Sequence, residues 1–481
     1  MNARLFCGCS VFLTACPSSL DSGETDLVFQ VEAAPRNGLV QRVTWETPEP
    51  STSIVEFGRD GVWERRVSDP GLSTQHEVLV VGMVADATYD LRVSSYSDDG
   101  WSVVTQPVQV QTPPLPHDWI TASLDIHDPS RTQPGWTLCN VATAVETLAI
   151  AVLYDEQARP IWYYDFGDEL GVADIEVTLT SRGNILIGPG VPDGASMIEV
   201  SLFDEILWEA PRSTDAGELY HHVFHEVEPG EYVTTFQHWD SSVKGTADTL
   251  RLFDHDLQTT WEWSFWDYFD FSPLDVQIRG EITHVNSIEV YPERGTVCVH
   301  AKYIGLALEI DRATGEIQWI FGEDGDFSAD PYADEPFFED AHGLKCLGED
   351  RVLLYDNGSP GRGWSRLVEY QLDREAMSSE IVWQYPEQRE QDPFFSFGWG
   401  DADRLDNGNT LCTYGEQSPN LGDSDLSLTR IFEVEPGGER VWQMSWGQTL
   451  PSPSAFKAER IPALSEPLTF DAQLRSSTGF P

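Results

Sequence analysis

Three histidines occupy the same place in three similar stretches of the sequence, and imidazole is a side chain that can carry a transferable group. His342 opens an apolar segment, a Gly-Glu-Asp turn follows, and a second apolar segment resumes ten residues later at Val352. His222 precedes Tyr232 by the same ten residues, and His284 opens a slightly longer version of the unit. Each stretch predicts a strand, a turn and a second strand. Side chains at matching points of a repeated unit are expected to converge.

A neutral imidazole is a nucleophile that can form a covalent intermediate and so divide a group transfer into two steps. Its ordinary pKa of about 6.5 leaves it mostly neutral near pH 7. Any one histidine is more often structural than functional, but three in register favour a functional cluster. His300, which has the same strand parity as Lys302, is a further candidate.

The elements that must position these histidines are repeated β-units. An apolar strand, an acidic residue, a turn and a strand containing tryptophan recur six times, with tryptophans 46 to 64 residues apart. Units of this size, with about four short strands each, predict an all-β fold in which residues 117–465 form a six-bladed β-propeller. The innermost strands of a propeller line its central channel. We interpret the tryptophans as packing between blades: Trp162, Trp208, Trp261, Trp319, Trp383 and Trp442.

A smaller β-domain precedes the repeats. Residues 27–112 alternate apolar and polar side chains between Gly, Pro and Asp, which predicts a fibronectin type III-like β-sandwich with Tyr89 at the tyrosine-corner position. We favour a spacer over a binding module for this domain. The Pro-rich residues 112–116 are a stiff linker, and residues 466–481 form a C-terminal tail.

The first 16 residues carry targeting information. Arg4 precedes a short apolar run that ends in Leu-Thr-Ala-Cys at Cys16. This pattern resembles a bacterial lipoprotein signal peptide with its lipobox, which implies cleavage before Cys16, lipid on its sulfur, and a flexible tether at 17–26. An ordinary signal peptide is the alternative. We expect an exported protein, lipid-anchored at the cell envelope on the periplasmic side or the cell surface; which membrane holds the anchor is open.

Composition excludes several partners. The 481 residues carry a net charge of −51, so nucleic acid is an unfavourable partner and membrane contact is expected only through the lipid anchor. Neither a phosphate-binding loop nor zinc-ligand spacing is present, and we expect no metal and no cofactor. Four cysteines follow Cys16 and allow three disulfide pairings, among which the sequence does not choose: Cys139, Cys298, Cys346 and Cys412.

The histidine units resemble a known family, the bacterial aryl-sulfate sulfotransferases. The similarity covers the predicted propeller and is densest from 282 to 445, where a His-Val-Asn-Ser run, an Asp-Asn-Gly run and an Asn-Gly-Asn-Thr-Leu turn follow in order. It implies an exported enzyme, with a homodimer as one arrangement, that moves a sulfuryl group between phenols through a sulfated histidine, without adenylated sulfate. By position, His342 is the nucleophile, while His222 and His284 hold the sulfate. The family's arginine is replaced by Lys302.

The chemistry suits these residue types. A sulfuryl group carries charge on three non-bridging oxygens, so transfer needs in-line positioning and cationic or N–H donors. Phenolate, whose parent pKa is about 10, leaves far more readily than an alkoxide. Lysine keeps the charge of arginine but not its planar fork. Aromatic residues near the histidines are candidates to bracket an aryl ring: Tyr303, Phe337, Phe338 and Trp399.

Two other functions remain open. A non-catalytic lipoprotein propeller that binds a ligand or protein at the cell envelope is favoured by Lys302 and opposed by the histidine register. A quinone-dependent propeller dehydrogenase would need a calcium site and a longer chain of blades. The sequence does not identify the donor and acceptor phenols.

Overall fold

The computed structural model describes residues 27–143, 148–165, 176–188, 197–210, 219–271, 280–388, 394–396, 398–415, 429–447 and 453–463. Cys16, the 17–26 tether and the 466–481 tail, for which we predicted lipidation and flexibility, lie outside these ranges. Strands dominate the described residues, and helix is limited to short turns at Asp118–Ile120, Phe265–Tyr268 and Lys302–Ile304. The predicted all-β class is confirmed.

The N-terminal region folds into one antiparallel sheet with its own core. Trp45 and Tyr89 are buried in this core, and the Tyr89 hydroxyl accepts a hydrogen bond from the Val84 backbone N–H at 2.9 Å. That bond has the form expected of a tyrosine corner. The strand order is β1-β2-β4-β5, with β3 on β2 and β6 on β4. The strands are β1 (Phe29–Ala33), β2 (Gln41–Arg59), β3 (Val62–Val80), β4 (Thr88–Tyr96), β5 (Ser102–Val104) and β6 (Val108–Gln111).

From Ser123 onward the described strands form six consecutive antiparallel sheets, which we number 1 to 6. Sheets 1 and 6 each recruit a strand from the opposite end of the chain, so that β31 pairs with β8 and β7 pairs with β30. This exchange ties the two ends of the repeat array together. Sheet 1 contains β8 (Trp136–Thr143), β9 (Leu148–Tyr154), β10 (Pro160–Asp165) and β31 (Ala458–Ile461). Sheet 2 contains β11 (Val177–Leu179), β12 (Ile185–Ile187), β13 (Ile198–Val200) and β14 (Ile206–Glu209). Sheet 3 contains β15 (Leu219–Glu228), β16 (Glu231–Asp240), β17 (Gly245–Asp254) and β18 (Thr259–Ser264).

Sheets 4 to 6 repeat the same sequential order of four neighbouring strands. Apolar side chains alternate along these strands and are buried between neighbouring sheets, which explains why no single unit could be stable alone. Sheet 4 contains β19 (Val285–Tyr291), β20 (Thr296–Ala301), β21 (Leu306–Asp311) and β22 (Ile317–Phe321). Sheet 5 contains β23 (His342–Gly348), β24 (Arg351–Asp356), β25 (Arg366–Asp373) and β26 (Ser378–Tyr385). Sheet 6 contains β27 (Asp401–Arg404), β28 (Thr410–Tyr414), β29 (Arg430–Val434), β30 (Arg440–Ser445) and β7 (Ser123–His127).

The repeated tryptophans lie in the last strand of each unit, and most of them join one sheet to the next. In five sheets an indole N–H donates to a backbone carbonyl in the turn before the last strand of the following sheet, whereas that of Trp319 donates to the side chain of Glu309 in its own sheet. In sheet 3 this bond is made by Trp263, to Gly315, while Trp261 packs against the core that sheets 3 and 4 share. The other inter-sheet bonds are Trp162 to Leu202 at 3.1 Å, Trp208 to His255 at 2.9 Å, Trp383 to Pro436 at 3.0 Å and Trp442 to Glu156 at 3.2 Å.

One disulfide crosses between two sheets. Cys298 of β20 is bonded to Cys346 of β23, while Cys139 and Cys412 are buried and lie outside this bond. The structure thus selects a pairing that the sequence left open. It ties sheet 4 to sheet 5, the two units that carry His284 and His342.

Replacing both bonded cysteines by alanine should lower the free energy of unfolding by about 4 kcal/mol, because the bond closes a 48-residue loop in the unfolded chain. Urea unfolding followed by tryptophan fluorescence measures the difference. The Cys412→Ala variant removes a buried thiol without breaking a crosslink and is the control. Equal urea midpoints for the wild type and the double variant would show that the crosslink does not constrain the unfolded state.

Candidate active site

The three predicted histidines lie at the heads of the first strands of sheets 3, 4 and 5. His222 is in β15, His284 directly precedes β19, and His342 opens β23. The Nε2 atoms of His222 and His284 are 3.2 Å apart. The ring of Phe456 joins the third histidine to this pair, because its centroid is 5.3 Å from that of His222 and 6.3 Å from that of His342.

An unusual backbone turn directs each histidine out of its strand. His222 and His284 adopt left-handed conformations with φ of 53° and 52°, and Gly343, next to His342, has φ of 59°. Strand pairing also shifts register immediately after each histidine. Non-glycine residues rarely adopt positive φ, and bulges re-aim side chains next to functional sites. The same device in three sheets therefore turns three side chains toward one another.

Asn357 fixes the tautomer of His342. The Asn357 side-chain amide N–H groups donate to the carbonyls of Ser396 at 3.0 Å and Trp399 at 2.8 Å, which leaves its oxygen facing Nδ1 of His342 at 2.7 Å. An amide oxygen only accepts, so Nδ1 must carry the hydrogen. In the neutral ring Nε2 then bears a lone pair, the form that a nucleophile requires.

The environment of His342 keeps this ring neutral. Its side chain is buried, and burial together with the positive charge of Lys302 moves its pKa well below the usual 6.5, although the bond to Asn357 opposes the shift. A buried imidazolium would lose hydration without a carboxylate partner to replace it. His342 is therefore an unprotonated base at neutral pH, with a lone pair on Nε2.

Lys302 supplies positive charge beside the histidines. It starts the helical turn after β20, and its backbone N–H donates to the carbonyl of His284 at 3.2 Å. Its ammonium charge lowers the pKa values of His342 and His300. Burial raises the pKa of Asp340, and the charge of Lys302 partly offsets this rise. The structure thus places Lys302 next to the same histidines as the sequence analysis did.

A carboxylate orients the second histidine. Nδ1 of His284 lies 3.1 Å from Oε2 of Glu281, which can only accept, so this nitrogen is protonated. The hydrogen bond between the Nε2 atoms of His222 and His284 then contains one proton shared by two nitrogens. In the neutral pair His222 donates this proton to Nε2 of His284, and a second proton taken up by the pair would supply an N–H donor for a sulfate oxygen.

His300, the further candidate, lies just behind the cluster. Its Nδ1 faces the side-chain oxygen of Asn286 at 3.0 Å, and Asn286 donates to the carbonyl of Ala341 at 2.9 Å. Burial, with the charge of Lys302, lowers its pKa to about 3. Its Nε2 is buried, and no described residue forms a hydrogen bond with it. His300 thus shares the tautomer of His342, but its ring packs edge-on against Phe338.

Only some of the aromatic candidates lie against the histidines. Tyr303 stacks on His284 with centroids 4.4 Å apart, and Trp399 contacts Phe456. Phe337 packs against Phe321, away from the proposed nucleophile. The sequence analysis missed Phe456, as well as the two residues that orient histidine rings, Asn357 and Glu281. The Asp-Asn-Gly run that follows His342 was the available signal for Asn357.

The described residues do not form a metal site. They contain no group of three or more His, Cys, Asp or Glu side chains arranged to hold a metal ion. Within the same ranges, no helix is long and apolar enough to cross a membrane.

Fold and site together define an all-β protein of repeated sheets with a histidine centre suited to group transfer. The family model described as Arylsulfotransferase (ASST) matches residues 125–456, well over half of the chain. The chain belongs to the arylsulfotransferase family, and the predicted resemblance is confirmed. Membership supports aryl sulfotransferase activity and, with it, aryl sulfates and phenols as substrates.

No curated protein matches the chain. Among solved structures, a Bacteroides caccae protein of unknown function is similar at 12% identity over 68% of this chain and 100% of its own, with a TM-score of 0.43. The β-propeller domain of Myceliophteria thermophila Cps50 (Swd1) is similar at 8% identity over 71% of this chain and 92% of its own, with a TM-score of 0.36. A luciferin-regenerating enzyme reaches a TM-score of 0.38 at 8% identity, covering 69% of this chain and 99% of its own. Similarity this low carries no argument about function.

Proposed function

We propose that this protein moves a sulfuryl group from an aryl sulfate ester to a phenolic acceptor through a sulfohistidine at His342, in ping-pong order and without an adenylated donor. The observation that carries the proposal is the hydrogen bond between Nδ1 of His342 and Asn357, which leaves the lone pair on Nε2. Family membership and the buried, neutral state of the ring support it.

The two half-reactions balance on these residues. In the first, the Nε2 lone pair attacks sulfur, the bond from sulfur to the aryl oxygen breaks, and the phenolate leaves and takes up a proton. In the second, the acceptor oxygen attacks sulfur, the N–S bond breaks, and its electron pair returns to Nε2 while the acceptor loses its proton. The ring ends unchanged, so the enzyme needs no external co-reactant.

The neighbouring groups serve the sulfuryl oxygens. Three non-bridging oxygens carry negative charge throughout the transfer, and preorganised cations or N–H donors stabilise that charge most where water is excluded. Lys302 provides the cation. The His222–His284 pair, on sheets 3 and 4, provides an N–H donor when it takes up a second proton, and Glu281 holds His284 in place for it.

The six sheets are, in this proposal, the six blades of a propeller spanning residues 117–465, and the N-terminal sheet is a fibronectin type III-like domain spanning 27–112. The sequential strand order and the exchanged strands β7 and β31 support a closed ring of blades. Closure would bring the heads of the first strands to one channel, where the histidines meet.

Exchange between an aryl sulfate and a free phenol tests the activity. Purified protein is incubated with 4-nitrophenyl sulfate and a range of phenols, and both nitrophenol release and the sulfated acceptor are quantified. Parallel lines in double-reciprocal plots are expected of ping-pong transfer. If no aryl sulfate turns over, the second candidate takes its place: a non-catalytic envelope protein that binds a ligand, favoured by lysine instead of arginine at position 302.

The Lys302→Ala variant should lower kcat/KM by about 10²-fold, the scale of one lost preorganised charge. Lys302→Arg should keep or raise the activity, because guanidinium offers two aligned donors to a sulfate. Steady-state kinetics at saturating acceptor measure both. Equal activity in the three forms would mean that Lys302 does not act on the transferred group.

We also propose that the protein is exported and held at the cell envelope by lipid on Cys16, with a tether at 17–26. The support is the Leu-Thr-Ala-Cys run after the short apolar segment. Mass spectrometry of the mature N-terminus checks the proposal, since an unmodified Cys16 would contradict it.

A further inference from the structure

A charged cavity lies directly beneath the histidine cluster. Its volume is about 370 Å³, and its lining runs from buried carboxylates to the exposed Asp406. A polar cavity of this size has room for several water molecules. Ion pairs cross it, including Lys457 to Glu176 at 2.7 Å and Lys345 to Asp403 at 2.9 Å. The buried charged side chains that line it are Glu176, Asp401 and Lys457, and the half-buried Lys345 lies beside them.

In sheets 3 and 5, a residue one or two positions after the histidine contacts a side chain that lines this cavity. The backbone N–H of Phe224, two residues after His222, donates to Oε2 of Glu176 at 2.6 Å. A Cβ atom on Gly343, the residue after His342, would lie 2.3 Å from Oδ1 of Asp401. Because Glu176 and Asp401 both line the cavity, a single layer of residues separates it from the nucleophile.

Phe456 fills that layer between the two histidines. Its side chain is fully buried, stacked on His222 and edge-on to His342 and Trp399. The next residue, Lys457, points the other way, into the cavity. A hydrogen bond from the Phe456 backbone N–H to Asn140 at 2.8 Å holds the segment in place. An apolar ring therefore stands where cavity water would otherwise reach the imidazole.

We propose that Phe456 is the barrier that keeps the water of this cavity away from His342. The barrier concerns only the hydration of the His342 imidazole, whereas its effect on catalysis rests on the proposed function. Water excluded from a sulfohistidine cannot compete with the phenolic acceptor, so Phe456 makes the protein a transferase instead of a sulfate ester hydrolase. Phe456 is in this sense a specificity-determining residue for the acceptor.

The competing reaction balances as follows. A water oxygen attacks the sulfur of the sulfohistidine, the N–S bond breaks and its electron pair returns to Nε2, and the product leaves as hydrogen sulfate, which releases a proton to solvent. The donor phenol is then liberated without a sulfated acceptor. Hydrolysis and transfer thus differ only in which oxygen attacks sulfur.

The test compares Phe456→Ala and Phe456→Leu with the wild type and with Phe432→Ala as a matched control. Phe432, in β29 of sheet 6, is equally buried but packs against Phe394 and against Tyr385 of sheet 5. Sulfate and sulfated acceptor are quantified during turnover in ¹⁸O-labelled water. Phe456→Ala should raise the ratio of inorganic sulfate to transfer product by about tenfold or more, equivalent to about 1.4 kcal/mol in relative barrier height. Leucine should have a smaller effect.

A second measurement does not depend on activity. Histidine carbon-13 NMR, with the His342 signal assigned from His342→Gln, gives the pKa of this ring. In Phe456→Ala it should rise toward about 6.5, because hydration returns to the ring, while Phe432→Ala should leave it unchanged. If the pKa rises but the wild type has no sulfotransfer activity, the barrier stands and the proposed function fails. If neither the pKa nor the product ratio moves, the barrier is refuted.

Discussion

Replacing His342 by alanine should abolish the stoichiometric release of phenol when the protein is mixed with an aryl sulfate alone, and should lower kcat by about 10⁴-fold or more. The variant loses the only atom proposed to bond to sulfur, so neither half-reaction can proceed by the covalent route. In the wild type, stopped-flow mixing without acceptor should release about one equivalent of phenol per enzyme, and peptide mapping should find the sulfate on residue 342.

The neighbouring histidines are the controls for this result. His222→Ala and His284→Ala should slow the burst but leave the sulfate at residue 342, because they stabilise charge and do not form the bond to sulfur. His300→Ala removes an imidazole with the same tautomer and should also leave the label in place. A wild-type protein that is labelled on any residue other than His342 would overturn the assignment.

The position of the site could be predicted from the sequence because it is carried by the repeat itself. His222, His284 and His342 stand at equivalent points before a turn and a second strand, and equivalent points of neighbouring sheets lie close together. The pattern does not encode how each side chain is aimed. A left-handed backbone at His222 and His284, and at the glycine after His342, combines with a register shift and breaks the simple alternation of side chains along a strand.

Contacts between segments that are distant in the sequence could not be predicted from the repeat pattern. Phe456 contacts His342 from 114 residues further along the chain, beside the strand that sheet 1 borrows from the C-terminal end. The cysteine pair likewise depends on which strands of two sheets face each other, and three pairings satisfied the sequence equally. In sheet 3 the repeat identified Trp261, which packs against the next sheet, but not Trp263, which makes the hydrogen bond, since that choice depends on the local register of β18.

The role of Asn357 gives the sharpest test of how the site activates a histidine. Asn357→Leu keeps the approximate volume but removes the acceptor for Nδ1, so the ring is free to rotate or to place its hydrogen on Nε2. We expect kcat/KM to fall on the order of 10³-fold, because both the position and the tautomer of the nucleophile are lost. The matched control is Asn286→Leu, which removes the corresponding bond to His300 and should cost much less.

The Asn357→Asp variant separates this role from simple packing through its pH dependence. Burial holds the pKa of His342 well below 6.5, so the wild-type kcat/KM should stay level as the pH falls through 6.5. A carboxylate at position 357 would stabilise the imidazolium and raise that pKa. The acid limb of the pH profile should therefore move to higher pH. Activity at pH 6 should fall relative to activity at pH 8 and recover at alkaline pH. If the limb moves with Asn286→Asp and not with Asn357→Asp, the nucleophile is His300 and not His342.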